Sequence, residues 1–386
     1  MLRFIFIRIL GGIATLFVIV TLSFFLMRFA PGSPFDEDRK LPPQVEANKW
    51  LWYGMGEELT APADGLIKSL GKDAEGRDLL QGGEYEEGVE LVVLEQSEGK
   101  GEVRVTMPRS GTLVALAVKA GDTVKAGDRL AVVPKSLFIQ YVDTLKNYAK
   151  GDFGRTITSD GEREVWENIA LALPVSLELG FWSLLLAMIL GVSAGLFAGL
   201  KQNTWGDYTV MSVSMVGISV PTIVSGPVFI AIFLLGMPEL GLRLGEWERP
   251  VDRFLPVLTL SLVYVASFAR LTRGGMLEII NSDYIRTARA KGVPEREVVT
   301  RHALKGAILP TVSFLGPAAA RIITGSVVVE TVFNLPGLAA YFIQPALSRD
   351  YPMVLGVVVL YSVLLIVMNL IVDIAYTFLD PRVKYD

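Results

Sequence analysis

Few side chains in this sequence could do chemistry, and most enzyme readings end on them. The chain has no cysteine and a single histidine, His302, which removes disulfides, thiolate metal sites, cysteine nucleophiles and any His-rich zinc site. No Gly-x-x-x-x-Gly-Lys-Ser/Thr run is present, so no phosphate-cradling loop of the Walker type exists to hold ATP. Gly191-Val-Ser-Ala-Gly195 has the letters of a nucleophile elbow, but that motif needs an exposed strand-to-helix turn. It lies instead in a long apolar run. There Gly191, Gly195 and Gly199 recur every four residues and form a small-residue seam against which a neighbouring helix can pack closely.

Two other sets of residues are more informative. Glu178, Arg321, Glu330 and Asp373 fall within or beside apolar runs. A charge at the centre of a bilayer costs roughly 2.5 to 3.5 kcal/mol on insertion scales, so such groups face protein or water. They either line a path or a subunit seam, or they pair and snorkel locally. The second set is the basic stretch from Asp283 to Pro310, which carries Arg286, Arg289, Lys291, Arg296, Arg301 and Lys305. Tyr284 to Lys291 are good helix formers ended by Gly292, and Pro294 opens another short helix ending near Lys305. Two short helices about a glycine make a compact surface element, either a docking site or a solvated basic loop.

The elements that must position these residues are membrane helices. The 386 residues are 51% hydrophobic, too apolar for an ordinary soluble protein of this size. Spanning a hydrocarbon core of about 30 Å takes about 20 mainly apolar helical residues. Six stretches qualify: Ile9–Phe29, Leu171–Leu200, Thr209–Met237, Phe254–Ala269, Ile308–Phe333 and Pro352–Phe378. Arg3 and Arg8, Lys201, the cluster from Arg270 to Lys305, and Arg382 with Lys384 all fall on one side if the six alternate. The positive-inside rule then places both termini and the basic loop in the cytoplasm of a multi-pass protein. The first apolar run lacks a small-residue cleavage pattern and is read as a retained span rather than a signal peptide. The net charge of -4 gives no reason to expect nucleic acid.

Between the first two spans lies a long polar stretch with an internal repeat. Ala61 to Leu70 reads against Met107 to Leu116, and Gly82 to Val93 reads against Gly121 to Val133. Each copy has a Pro-x-x-Gly turn, alternating apolar residues, two glycines six apart and an apolar run, the pattern of short β-strands joined by tight turns. The expected organisation is an N-terminal span at 1–34, an extracytoplasmic insert at 35–135 with its β domain at 59–134, a connecting segment at 136–168, and a core of five spans at 169–386 with its cytoplasmic loop at 273–306.

The basic loop resembles the Glu-Ala-Ala loop of ABC importer permeases. Arg286-Thr287-Ala288 occupies the Glu-Ala-Ala positions, with Arg in place of Glu; Gly292 follows, and Leu309-Pro310 comes later than in sugar permeases. Its wording, Thr-Ala-Arg-Ala-Lys-Gly, is similar to the dipeptide, oligopeptide and nickel branch. Leu26 to Gly32, Tyr141 to Gly154, Leu173-Pro-Val-Ser-Leu-Glu-Leu179, Val329 to Gly337, Arg349-Asp-Tyr-Pro352 and Leu379-Asp-Pro-Arg382 resemble that branch in order. The insert departs from it. The repeat is similar to the barrel-sandwich hybrid of biotinyl and lipoyl carriers and membrane-fusion adaptors, but the modifiable-lysine position is Glu98, with Lys100 two residues on. A structural or docking role fits that departure better than a carried cofactor.

The resemblance implies an all-α polytopic permease with a small all-β insert, itself neither an enzyme nor a cofactor binder. It would act beside a paralogous permease, two cytoplasmic ATPases that hydrolyse Mg-ATP, and a periplasmic or lipid-anchored binding protein, in a bacterial or archaeal inner membrane. Arg286, Thr287, Ala288, Arg289, Ala290, Lys291 and Gly292 would form the ATPase-coupling loop. Peptide is the expected cargo, with nickel or oligosaccharide as variants. A membrane-bound biotin-dependent decarboxylase and an efflux adaptor are the readings from other classes; the first needs a modifiable lysine, and the second has few spans.

Overall fold

The computed structural model describes residues 2–29, 35, 42–73, 75–80, 82–96, 101–158 and 161–379. The helices are α1 (Leu2–Phe29), α2 (Pro43–Trp52), α3 (Leu137–Ala149), α4 (Val165–Leu200), α5 (Trp205–Ser219), α6 (Thr222–Ile230), α7 (Pro250–Ile280), α8 (Asp283–Ala290), α9 (Glu295–Glu297), α10 (Leu304–Ala307), α11 (Leu309–Phe333), α12 (Ala340–Leu347) and α13 (Tyr351–Leu379). A π-helical turn follows α6, and another joins α9 to α10. The chain separates into two compact units, one of Met1–Leu26 with Thr158–Asp386 and one of Met27–Ile157.

In the helical unit, α1, α4, α7 and α13 are each long and apolar enough to cross a membrane, and the described residues hold up to six spans if two bent pairs each count as one. The third expected span, Thr209–Met237, is not one continuous helix. Its two halves meet at 105°, and Pro221 explains why. Proline has no N–H for the Gly217 carbonyl and drives the preceding residue out of the helical region, leaving Val220 extended at φ -100°, ψ 117°. The fourth span is longer than Phe254–Ala269 because α7 continues through Arg270 and Arg273. That extension is compatible with burial because Arg273 meets an acid. Its Nε donates to Asp207 Oδ1 and its Nη2 to Asp207 Oδ2, both at 2.7 Å.

The glycine seam packs α4 against α7. A Cβ on Gly191 would lie 2.5 Å from Phe268 Cβ, on Gly195 2.4 Å from the Ala269 carbonyl, and on Gly199 2.7 Å from Met276 Cβ. Only hydrogen fits at these positions, so the two backbones approach as closely as small-residue membrane interfaces allow. Leu179, Ala187, Leu260, Val265 and Phe268 fill the core beside the seam.

The other unit contains β1 (Gly56–Thr60), β2 (Gly65–Leu70), β3 (Glu84–Tyr85), β4 (Glu90–Gln96), β5 (Glu102–Thr106), β6 (Gly111–Thr112), β7 (Ala115–Leu116), β8 (Thr123–Val124) and β9 (Arg129–Pro134), flanked in sequence by α2 and α3. They form antiparallel sheets in the orders β1-β9-β7, β5-β4-β2-β8 and β3-β6. The repeat is an exchange. The Ala61 carbonyl accepts the Gly127 N–H while its own N–H donates to the Asp128 carbonyl, and the repeat-equivalent Met107 accepts from Gly88 and donates to the Val89 carbonyl. Even the turn bonds are duplicated: Asp64 Oδ1 accepts from the Ala126 N–H, and Ser110 Oγ from the Glu87 N–H. Each copy therefore completes its partner, burying Leu91, Leu94, Leu113 and Leu130 fully in one core. Glu98 and Lys100, where the carrier resemblance is decided, lie outside the described residues.

Candidate functional site

The basic segment folds into an elbow. In α8, Ile285 and Ala288 turn inward onto Met276, Val298, Ala303 and Ala307, whereas Arg286, Thr287, Arg289 and Ala290 stay exposed. Three-residue spacing of the buried positions puts them on one face, which makes α8 a short amphipathic helix with a basic outer surface. Lys291 and Gly292 are exposed beyond it. Gly292 sits at φ +78°. Its N–H bonds the Arg289 carbonyl at 2.9 Å, and the Val293 N–H reaches back to the Ala288 carbonyl at 3.2 Å. These two bonds form a Schellman closure, whose left-handed position glycine adopts without steric cost. Of the seven residues expected in the loop, Ala288 is thus part of the support, and the others lie on its outer surface or at its turn.

Arg289 also braces the elbow. Its Nε and Nη2 donate to Glu295 Oε2 and Oε1 at 3.1 and 2.7 Å, tying α8 to α9 across the glycine. The hydrogen bonds it donates to the Glu295 carboxylate hold the guanidinium above its ordinary pKa. Arg286 makes a looser pair with Asp283 at 3.4 Å, both largely exposed.

Close contacts seat this elbow on α7. A Cβ on Gly275 would lie 2.3 Å from the Ala307 carbonyl, and one on Gly306 would lie 2.9 Å from Ile279 Cδ1. One turn deeper, the buried Thr272 and Thr311 hydroxyls meet at 2.7 Å, joining α7 to α11. Sequence reasoning placed Arg273 in the basic cluster but missed its buried acceptor. Asp207, 1% exposed, follows the N-cap Thr204 of α5 and also accepts the Asn203 N–H.

At the opposite end of α7 the expected intramembrane charges have specific partners. Glu178 is paired with Arg253 and accepts the Trp247 indole N–H at 2.8 Å and that of Trp182 at 3.3 Å. Nearby Asp252 clasps the preceding loop, accepting from Arg249 Nε and Nη2 and from the Arg243 N–H. Asp373 on α13 pairs with Arg8 of α1 at 3.1 Å. Glu330 is 1% exposed, and its Oε2 accepts the Ala339 N–H at 2.9 Å. Beside it Ser176 Oγ accepts the Leu338 N–H at 2.9 Å, and a Cβ on Gly337 would strike Glu330 Oε2 at 2.3 Å. The motifs around Leu173 and Val329, far apart in sequence, are therefore two halves of one contact. The Arg321 side chain, on α11, is exposed.

Among the described residues no three His, Cys, Asp or Glu side chains cluster as a metal site. Residues 191–385 match the family model of the binding-protein-dependent transport system inner membrane component. The chain belongs to this family. At full length it is 38% identical to the oligopeptide transport system permease protein OppB of Escherichia coli K12 and 37% identical to that of Salmonella typhimurium, all of each chain being covered. It is 30% identical to the dipeptide transport system permease protein DppB of Bacillus subtilis, over all of this chain and 98% of that one. This inner-membrane component thus holds both the elbow and all three seam glycines within the family-matched region, while the β-strand unit lies outside it.

Proposed function

We propose that this chain is one of two channel-forming subunits of an ATP-driven peptide importer. The observation that carries the reading is full-length similarity to the oligopeptide and dipeptide permeases, over a chain with no phosphate-binding loop of its own. A paralogous permease completes the pathway, two cytoplasmic ATPases hydrolyse Mg-ATP, and an extracytoplasmic binding protein delivers the cargo. Both termini and the α8–α10 elbow face the cytoplasm, where Arg and Lys are concentrated.

In this reading Arg286, Thr287, Arg289, Ala290, Lys291 and Gly292 form the face that seats on an ATPase, with Ala288 beneath it. ATP-driven approach of the two ATPases pushes the elbow, and the elbow moves α7 because Gly275 and Gly306 leave no slack between them. Glu178, Glu330 and Asp373 secure the helices and the outer loops. Arg321, exposed on an apolar helix, faces the second permease or the water-filled path, since lipid would oppose its charge. The β-strand unit contacts the binding protein or the envelope.

The test is reconstitution of the complex in proteoliposomes with its binding protein and a labelled peptide. Uptake dependent on ATP supports the proposal. Import of nickel or an oligosaccharide in place of peptide would replace the cargo, and a purified assembly without any ATPase would end the reading altogether.

A further inference from the structure

We infer that the break in the third span, at Ser219–Thr222, is a wall of the translocation path whose bare carbonyls accept hydrogen bonds from the backbone N–H groups of a peptide in transit. This rests on the peptide-import reading above. The break lies well inside the membrane. The fifteen residues of α5 rise about 22 Å from Trp205, more than half of an approximately 30 Å hydrocarbon core. Gly217 fixes the level independently, because a Cβ there would lie 2.4 Å from the Leu262 carbonyl, near the middle of α7.

Backbone acceptors are left over at that depth. The Val216 carbonyl takes the Val220 N–H, the Met215 carbonyl takes the Ser219 hydroxyl, and the N–H groups of Val224 and Ser225 both go to Pro221. Pro221 has no N–H for Gly217, and among the described residues no donor is directed at the carbonyls of Gly217, Ile218 or Ser219. Hydrocarbon cannot satisfy them, and broken helix at membrane depth is tolerated only against protein or a water-filled cavity. Ser219 and Pro221 are exposed, as are Ile218 and Ile223 at 42% and 63%.

The chemistry of the break selects the ligand class. It offers acceptors without charge, flanked by Ile218, Pro221, Ile223 and Val224, so it recognises a donor and is indifferent to side-chain charge. A peptide of any sequence supplies such donors through its main chain. The scarcity of charge in α5 and α6, where Asp207 is the only charged residue, is then a consequence: the wall reads the backbone.

The native chain contains no cysteine, so single thiols report accessibility without background. Wild-type uptake of a tripeptide is measured first in the reconstituted complex; its failure refutes the importer reading, not the site. In an active complex, Ser219→Cys should react with a charged, membrane-impermeant methanethiosulfonate while Leu22→Cys on α1 does not, and saturating tripeptide should abolish the reaction. Pro221→Ala supplies the missing N–H to Gly217. It should lower uptake at sub-saturating tripeptide about fivefold, the worth of one net hydrogen bond. A tripeptide N-methylated at one internal amide, compared at equal binding-protein occupancy, should be imported more slowly by wild type and no more slowly by Pro221→Ala. An unreactive Ser219→Cys in every nucleotide state would show the break sealed by protein. Equal discrimination against the N-methylated tripeptide by both complexes would show that the carbonyls do not read it. Either result overturns the inference.

Discussion

Gly292 gives the sharpest test of the elbow, because its energetics separate conformation from contact. The residue sits at φ +78°, and a Cβ built there meets nothing within 4 Å. Replacement by alanine therefore adds no clash, only the left-handed penalty of about 1–2 kcal/mol for an L side chain. That is a factor of roughly 5–30 in the population of the closed elbow relative to its alternatives. Asparagine tolerates the same region better, and a β-branched side chain tolerates it worse. The expected order of peptide-stimulated ATPase activity in the reconstituted complex is Gly292, then Asn, Ala and Val, with membrane insertion and assembly unchanged. Gly292→Pro should fall at the bottom, since proline is confined to negative φ and cannot donate the bond to the Arg289 carbonyl. If Asn, Ala and Val variants couple equally well, the elbow does not transmit the stroke and the segment is an ordinary basic loop.

Reversal at Arg289 should also weaken coupling. If its main role is the Glu295 brace, the double change Arg289→Glu with Glu295→Arg restores peptide-stimulated ATPase activity, whereas a direct docking contact would leave the double variant impaired. The pair is substantially exposed, so it contributes only ~0.2–1 kcal/mol and overall thermal stability should scarcely move. Glu330→Ala leaves the buried Ala339 N–H without its acceptor, which costs about 1–3 kcal/mol; a lower melting temperature of the purified complex should follow, and Glu330→Gln should retain most of it. Asp73 supplies the pH test. The Arg77 N–H and then its guanidinium hold that carboxyl below its ordinary value, so its support for the 72–78 turn is present above the unfolded value near pH 4 and is lost as pH falls through the lower folded value. The protection of the Arg77 amide against hydrogen exchange, relative to its intrinsic rate at each pH, should fall in that acid window in the native chain, and Asp73→Asn should show the reduced protection already at neutral pH.

The sequence disclosed the helices where burial is uniform and the elbow where turn chemistry is local. Gly292 and Pro294 announced the joint because their backbone preferences act within a few residues. The four-residue recurrence of Gly191, Gly195 and Gly199 likewise announced a seam, although only the fold supplies Val265 to Met276 as its other half. The third span was legible but the sharpness of its bend was not, because apolar composition does not register an angle and a proline in a membrane helix fits a mild kink as well as a 105° break. The buried pairings were least legible. Asp207 with Arg273 is separated by 66 residues, and Ser176 with Leu338 by 162. No local pattern encodes such partnerships, since each side chain is unremarkable until the fold brings in the other.

These long-range contacts also determine where a push on the elbow is felt. Between Thr272 and Ile279, α7 is joined to α11 through Thr311, to α5 through Asp207, and to α10 through Ala307 and Gly306. On another face the glycine seam holds α4 without room for sliding. In the importer proposed above, α4 and α7 therefore travel as one body with the elbow, because packed backbones at these distances resist relative movement. The Asp207 ion pair passes the same displacement to the start of α5. Along the chain helical continuity ends at Val220-Pro221, so α6 follows instead through its own packing on α7, where Phe233 in the turn after α6 meets Phe254 edge-on at 5.9 Å. Restoring that continuity with Pro221→Ala should thus stiffen the joint between the elbow-coupled half of the third span and the half packed, through Gly226, against Val332.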